Sequence, residues 1–269
     1  MSGRIASTFA RLARERRTAL IPYVTGGDPD LDATAHVLDA LVEAGADIVE
    51  LGVPFSDPMA DGPVIQAAMN RALAHGVRLA DLLEVARAFR ERHPDVPLIL
   101  FGYMNPLHRY GLERAVRDMA AAGVDGLLVV DLPPEEAEEL TRHTRPAGLD
   151  FIALYTPTSD DDRVRTIAAQ GSGFAYCVSM TGVTGGRVSE HDALAARVQA
   201  VRRLSGVPAA VGFGVRTPED AVRVAAIADG VVVGSALVQA MAGRAPVEAP
   251  AVAGEFIAAM RQAMDAATR

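Results

Sequence analysis

Residues 48–67 read IVELGVPFSDPMADGPVIQA and contain one complete strand–loop–helix unit. The stretch starts as a short apolar strand with Glu50 at its exit, passes Gly52, Pro54 and Pro58, and delivers Asp61 to the mouth of a helix. Proline and glycine at this density mark a loop. Loops at the ends of rigid elements are where chemistry is commonly seated. Two carboxylates in unlike settings, one leaving apolar surroundings and one on a solvated loop, should titrate apart, which is how acid and base work is divided. The same spacing also fits Glu50 as a capping or ion-pairing residue and Asp61 as an ordinary loop aspartate.

The unit recurs on both sides of this stretch. Upstream, residues 19–24 form a strand ended by Thr25, Gly26 and Gly27, after which Asp28 is expected to cap a helix and Pro29 to occupy its first turn. That helix buries Leu31, Ala35, Leu38 and Val42 at helical spacing and stops at Gly45. Downstream, strands are expected at 97–103, 126–130, 150–154, 173–178, 208–212 and 230–233, each followed by a helical pattern. Met104, Asn105 and Pro106 read as loop, Pro133 and Pro134 as the opening of a helix, and Thr217 with Pro218 as a strong helix start. A leading helix over 2–17, with Ile5, Phe9 and Leu12 on one face, is placed to plug one end of the fold.

Eight strands alternate with helices, and they are continuously apolar rather than alternating, the pattern of a parallel sheet buried on both faces. The chain of 269 residues suits a single (β/α)8 TIM barrel, with extra helices at the N-terminus and in the second and eighth units. An open doubly wound sheet would need two exposed edges and a strand-order switch. No linker divides the chain, so residues 1–269 are expected to form one domain.

Composition narrows the function. The chain has 34 acidic and 26 basic residues, a net charge of −8, and no basic block, so no nucleic-acid partner is expected. Its single cysteine, Cys177, sits in an apolar run and reads as a buried small hydrophobe. The N-terminal stretch lacks the apolar core of a secretory signal, and no segment reaches the ~18 continuous apolar residues of a membrane span. A cytoplasmic protein with no membrane partner is the expectation. The six histidines are scattered, so no metal site is expected. Gly212, Phe213 and Gly214 lack the third glycine of a dinucleotide fingerprint.

In a barrel the strand exits converge on one face, and Tyr23, Glu50, Asp61, Tyr103, Asp131 and Tyr176 all fall there. Gly185, Gly214, Gly234 and Ser235 follow the last three strands, where backbone N–H groups can meet a phosphate. Taken singly, each glycine also fits a tight turn. Tyr23, Phe101, Tyr103, Leu128, Tyr176 and Phe213 are candidate pocket walls. The glycine-rich stretch 181–186, TGVTGG, reads as a candidate lid.

The stretch LGVPFSDPMADGP resembles the signature of the tryptophan synthase alpha chain family. The likeness extends through PYVTGGDPD, GYMNPLHRYG, VVDLPPEE, GVTGG, GFGVRTPED and DGVVVGSALV, in that order. The resemblance implies a lyase that splits indole-3-glycerol phosphate into indole and glyceraldehyde 3-phosphate by a retro-aldol reaction. It places Glu50 and Asp61 as the catalytic pair and Thr184 in a loop that closes over the site. It implies a partner β chain that carries pyridoxal phosphate, an αββα assembly, and no cofactor in this chain. The segment from Pro54 to Asp61 and the Asn105–Pro106 segment would lie at that contact. Met180, Thr181 and Gly186 depart from the family's pattern near the lid, and Tyr23 stands where some members carry Phe. A barrel that makes the same indole compound usually draws on a lysine acid, and this chain contains no lysine. A free-standing lyase and a catalytically idle activator of the β chain are the remaining alternatives.

Overall fold

The computed structural model describes residues 3–178, 188–212 and 214–267. Its strands are short: β1 (Ala19–Thr25), β2 (Val49–Gly52), β3 (Leu98–Gly102), β4 (Gly126–Val129), β5 (Asp150–Phe151), β6 (Ala153–Tyr155), β7 (Ala175–Val178), β8 (Ala209–Gly212) and β9 (Gly230–Val233). All pair in parallel, in the order β5-β4-β3-β2-β1-β9-β8-β7-β6. The two ends of that order are halves of one segment, because β5 pairs with β4 and β6 with β7. Between them, Ile152 donates its N–H to the Leu127 carbonyl at 2.8 Å. The fifth expected strand therefore changes partner at Ile152, and that change closes the sheet into a (β/α)8 barrel.

The helices are α1 (Arg4–Glu15), α2 (Leu31–Glu43), α3 (Pro63–Ala74), α4 (Leu79–Arg92), α5 (Met104–Tyr110), α6 (Leu112–Ala121), α7 (Glu138–Ala147), α8 (Asp161–Gln170), α9 (Val188–Ser205), α10 (Pro218–Ala225), α11 (Ser235–Met241) and α12 (Ala249–Ala267). Extra helices lie at the N-terminus and in the second and eighth units, as expected. A further one, α5, occupies the third unit, where Met104 to Pro106 had read as loop. The Asp131 carboxylate accepts the Met104 N–H at 2.8 Å and so starts that helix from the neighbouring strand exit. Two other expectations are corrected. The cap of α2 is Asp30, which accepts from the Ala33 N–H at 2.7 Å. Asp28 is instead buried and gripped by both arms of Arg71 at 2.7 and 2.8 Å. Pro133 and Pro134 begin a series of turns, and α7 starts only at Glu138. Thr217 does cap α10, exchanging hydrogen bonds with Asp220 in a capping box.

Each strand sorts its residues by parity. Leu20, Val24, Val49, Leu51, Leu98 and Leu100 face outward into the layer shared with the helices. Ile21, Ile48, Ile99, Leu128, Ile152, Phe174, Ala210 and Val232 face inward and fill the barrel. Ile5, Phe9 and Leu12 of α1 join this inner cluster, and Phe9 packs on Phe174 with ring centroids 5.6 Å apart. The leading helix thus plugs the N-terminal end. Arg4 pairs there with Asp125 at 2.9 Å and Arg11 with Asp47 at 3.2 Å. The same two aspartates accept strand N–H groups, from Leu98 and Leu20. These side chains close the barrel interior at this end.

Candidate active site

Glu50 lies inside β2, in register with Tyr23 of β1 and Ile99 of β3. Its parity is that of Ile48, so its side chain belongs to the inner row, one layer nearer the open end. It is fully buried, and neither carboxylate oxygen has a hydrogen-bond partner among the described residues. Burial alone pushes its carboxyl from 4.5 up to about 8. A capping or ion-pairing glutamate would show a partner. This one shows none.

Asp61 sits at the end of a turn, where its N–H meets the Pro58 carbonyl at 3.1 Å. Its carboxylate accepts the Tyr103 hydroxyl at 2.7 Å, and that hydroxyl accepts the Ala60 N–H at 3.1 Å. Partial burial raises the Asp61 carboxyl while the Tyr103 hydrogen bond lowers it, with a net upward direction. Phe55 packs on the Tyr103 ring at 5.1 Å between centroids. The loop after β2 is therefore latched to the exit of β3.

Two glycines make room for the tyrosines of the inner row. A Cβ on Gly52 would lie 2.2 Å from the Tyr23 hydroxyl, and one on Gly212 would lie 2.2 Å from the Tyr176 hydroxyl. The Tyr23 hydroxyl meets Thr25 Oγ1 at 3.3 Å, and its ring meets Phe101 edge-on at 5.1 Å. Burial pushes the Tyr23 and Tyr176 hydroxyls well above their ordinary range, with the charges of Glu50 and Asp61 adding to it. Both phenols stay neutral donors.

Tyr23, Glu50, Asp61, Phe101, Tyr176, Gly214, Gly234 and Ser235 all line one cavity of about 110 Å³ at the open end. Gly214 takes a left-handed backbone (φ +82°), and Ser235 is the first residue of α11. Tyr103 reaches the site through Asp61 rather than as a wall. Leu128 is buried deeper, with Ile99 and Ile152 in the inner cluster, and does not line the cavity. Thr184, Gly185 and Phe213, with Met180, Thr181 and Gly186, lie outside the described residues. The sequence reading missed Gly62, Ile65, Val215 and Val232, which also line the cavity. Val232 was recoverable from parity, because it follows Gly230 by two positions in β9. Among the described residues no group of His, Cys, Asp and Glu could hold a metal ion, and no helix is long and apolar enough to cross a membrane.

A parallel barrel with a dry carboxyl and a second, latched carboxylate in one cavity at its open end has the layout of a (β/α)8-barrel enzyme. The profile of the tryptophan synthase alpha chain family matches residues 9–268. Curated alpha chains from Methylibium petroleiphilum and Geobacter sp. strain M21 are 49% and 54% identical, covering 98% and 96% of this chain and 97% of each relative. The crystal structure of the alpha subunit from Legionella pneumophila str. Paris superposes with a TM-score of 0.90 at 40% identity, covering 99% of this chain and 100% of that one. A structure of Mycobacterium tuberculosis tryptophan synthase gives 0.86 at 39% identity, covering 97% and 99%. The chain belongs to the tryptophan synthase alpha chain family. Its activity is the lyase reaction that releases indole from indole-3-glycerol phosphate in tryptophan biosynthesis.

Proposed function

We propose that Glu50 and Asp61 carry this cleavage, with the indole end of the substrate toward Asp61 and the phosphate toward Gly214, Gly234 and Ser235. The observation behind the reading is the Glu50 carboxyl, buried without a hydrogen-bond partner among the described residues in the cavity that Asp61 and these three residues also line. With its carboxyl at about 8, Glu50 is protonated at neutral pH. It gives that proton to indole C3, leaving positive charge on the ring nitrogen. Asp61 accepts the indole N–H and stabilises that charge. The Glu50 carboxylate so formed removes the proton of the glycerol hydroxyl beside the ring. The oxygen electrons form the aldehyde, the carbon–carbon bond breaks, and its electron pair restores the aromatic ring. One proton leaves Glu50 and one returns, so the enzyme ends as it began.

Gly214 and Gly234 suit a phosphate because they offer backbone N–H groups without side-chain bulk, and Ser235 adds a small hydroxyl at the start of α11. Gly185 and the Thr184 closure extend the same reading. A partner β chain receiving the indole, the αββα assembly, pyridoxal phosphate in that partner rather than in this chain, and a cytoplasmic setting belong to it as well. Met59, 84% exposed on the Asp61 loop, is an apolar side chain that such a partner would cover. The test is Glu50→Gln, assayed for indole release with and without added β chain. Turnover should vanish while phosphate-ligand binding survives, and wild-type turnover would refute the assignment.

A further inference from the structure

We propose that Gln66 is a positioning residue for Asp61, holding the turn that carries it. The inference rests on Asp61 as the group that faces the indole N–H. Residues 58–61 form a tight turn, closed by the Asp61 N–H on the Pro58 carbonyl at 3.1 Å. Packing anchors this turn at Pro58, which is buried, while Met59 and Ala60 at its tip are exposed. Hydrogen bonds from two rigid elements hold the rest. From the barrel, the Tyr103 hydroxyl takes the Asp61 carboxylate and the Ala60 N–H. From α3, the Gln66 side-chain amide donates to the Asp61 carbonyl at 2.8 Å and reaches the Pro58 carbonyl at 3.4 Å.

The amide therefore binds the carbonyls at both ends of the turn, while Tyr103 holds the Asp61 carboxylate and the Ala60 N–H. Glutamine suits this place for three reasons. Its NH2 group has two donors for two acceptors, its reach spans the first turn of the helix, and its lack of charge leaves the field at Asp61 undisturbed. The helix beneath it is firmly seated, with Ala68, Met69 and Ala72 fully buried. The same helix presents Ile65 to the cavity. One element thus sets both a wall of the pocket and the angle at which Asp61 enters it. Without the Gln66 amide the turn could pivot about the Tyr103 bond, and a displacement of about 1 Å in a catalytic group can cost on the order of a hundredfold in rate.

The test is Gln66→Met, which keeps length and removes both donors, in the full chain with its β partner. The expected result is a kcat for indole release lowered about tenfold, with KM moved less than about twofold. Hydrogen exchange should quicken severalfold at the Ala60 and Asp61 amides and stay unchanged in the barrel strands. A kcat within about twofold of wild type would overturn the proposal. So would unchanged exchange at those two amides, or an acceleration shared by the strands, which would mark general destabilisation. Should Gln66→Met fail to fold, Gln66→Glu has the same size and turns an acceptor toward the two carbonyls. It should lower kcat further with the same local exchange pattern, and wild-type kcat there would equally overturn the proposal. Asp61→Asn separates the two readings. Wild-type activity in that variant would remove Asp61 from the chemistry, whereas its inactivity beside a fully active Gln66→Met would remove only Gln66.

Discussion

Replacing Glu50 by Gln should change how stability depends on pH, and the size of the change follows from the site. In the folded chain the Glu50 carboxyl is fully buried without a hydrogen-bond partner among the described residues and is pushed up to about 8, against an ordinary 4.5. Below 4.5 both folded and unfolded chains hold the proton, and burial costs no charge. Between 4.5 and 8 the unfolded chain has released it while the folded chain still holds it. The folded state binds more protons across that window, so stability contributed at this site falls as pH rises, by about 1.4 kcal/mol per pH unit. From pH 5 to pH 8 the loss sums to about 4 kcal/mol, a large part of the 5–15 kcal/mol typical of a folded domain. Glutamine cannot ionise and escapes it. Wild type and Glu50→Gln should therefore differ little at pH 5, and the variant should become the more stable as pH rises to 8. With a urea dependence of about 3 kcal/mol per molar, the gap in midpoint at pH 8 is roughly 1 M larger than at pH 5. Urea unfolding of both chains, ligand-free, at each pH from 5 to 9 measures it directly. A difference that stays constant with pH would show that Glu50 is charged throughout, and the proton donor assigned to indole C3 would be lost.

Two further variants probe the surroundings of the pair. Tyr103→Phe removes the hydroxyl that lowers the Asp61 carboxyl's pKa, so the acid limb of the pH–rate profile should move to higher pH, and kcat should fall roughly tenfold; an unshifted limb would count against Asp61 acting as an anion. Gly52→Ala places a methyl 2.2 Å from the Tyr23 hydroxyl in a packed interior. It should cost about 1–3 kcal/mol and lower the melting temperature by roughly 3–10 °C. Tyr23→Phe in the same chain should restore only part of that loss, because the ring carbon Cζ would still lie 2.6 Å away.

Most of the barrel was legible because burial on both faces writes itself into a strand as an unbroken apolar run. β1, β8 and β9 follow from this alone, and the Thr217 cap follows from local chemistry. What was not legible depends on partners distant in sequence. Asp28 and Asp30 are equally good caps on paper, and only Arg71, 43 residues away, draws the first of them out of the role. The α5 helix escapes for the same reason, since its first N–H is satisfied by Asp131 from another strand. Leu128 and Phe101 are both apolar residues facing inward, yet one fills the barrel and the other lines the cavity. The two are register partners across β3 and β4, and burial separates them: Leu128 is fully buried in the inner cluster, whereas Phe101 is part-exposed against the Tyr23 ring, a difference set by the neighbours each meets rather than by its own strand.

The two carboxylates stand on elements of unequal stiffness, and their roles explain why. A carboxyl that must stay protonated near neutral pH needs a dry place without partners. On a loop such a group would swing to water, ionise and recover its ordinary acidity. Only a strand packed on both faces can hold it in place, and Glu50 lies within β2, with Tyr23 and Ile99 in register on either side. A carboxylate that must stay charged has the opposite need: some access to water, and a donor that favours the anion. Asp61 has both, on a turn at the cavity mouth with the Tyr103 hydroxyl against it. The positions are therefore not interchangeable. A glutamate on the turn would be too acidic to give up a proton usefully, and an aspartate in the strand would be too reluctant to carry the charge the indole nitrogen requires.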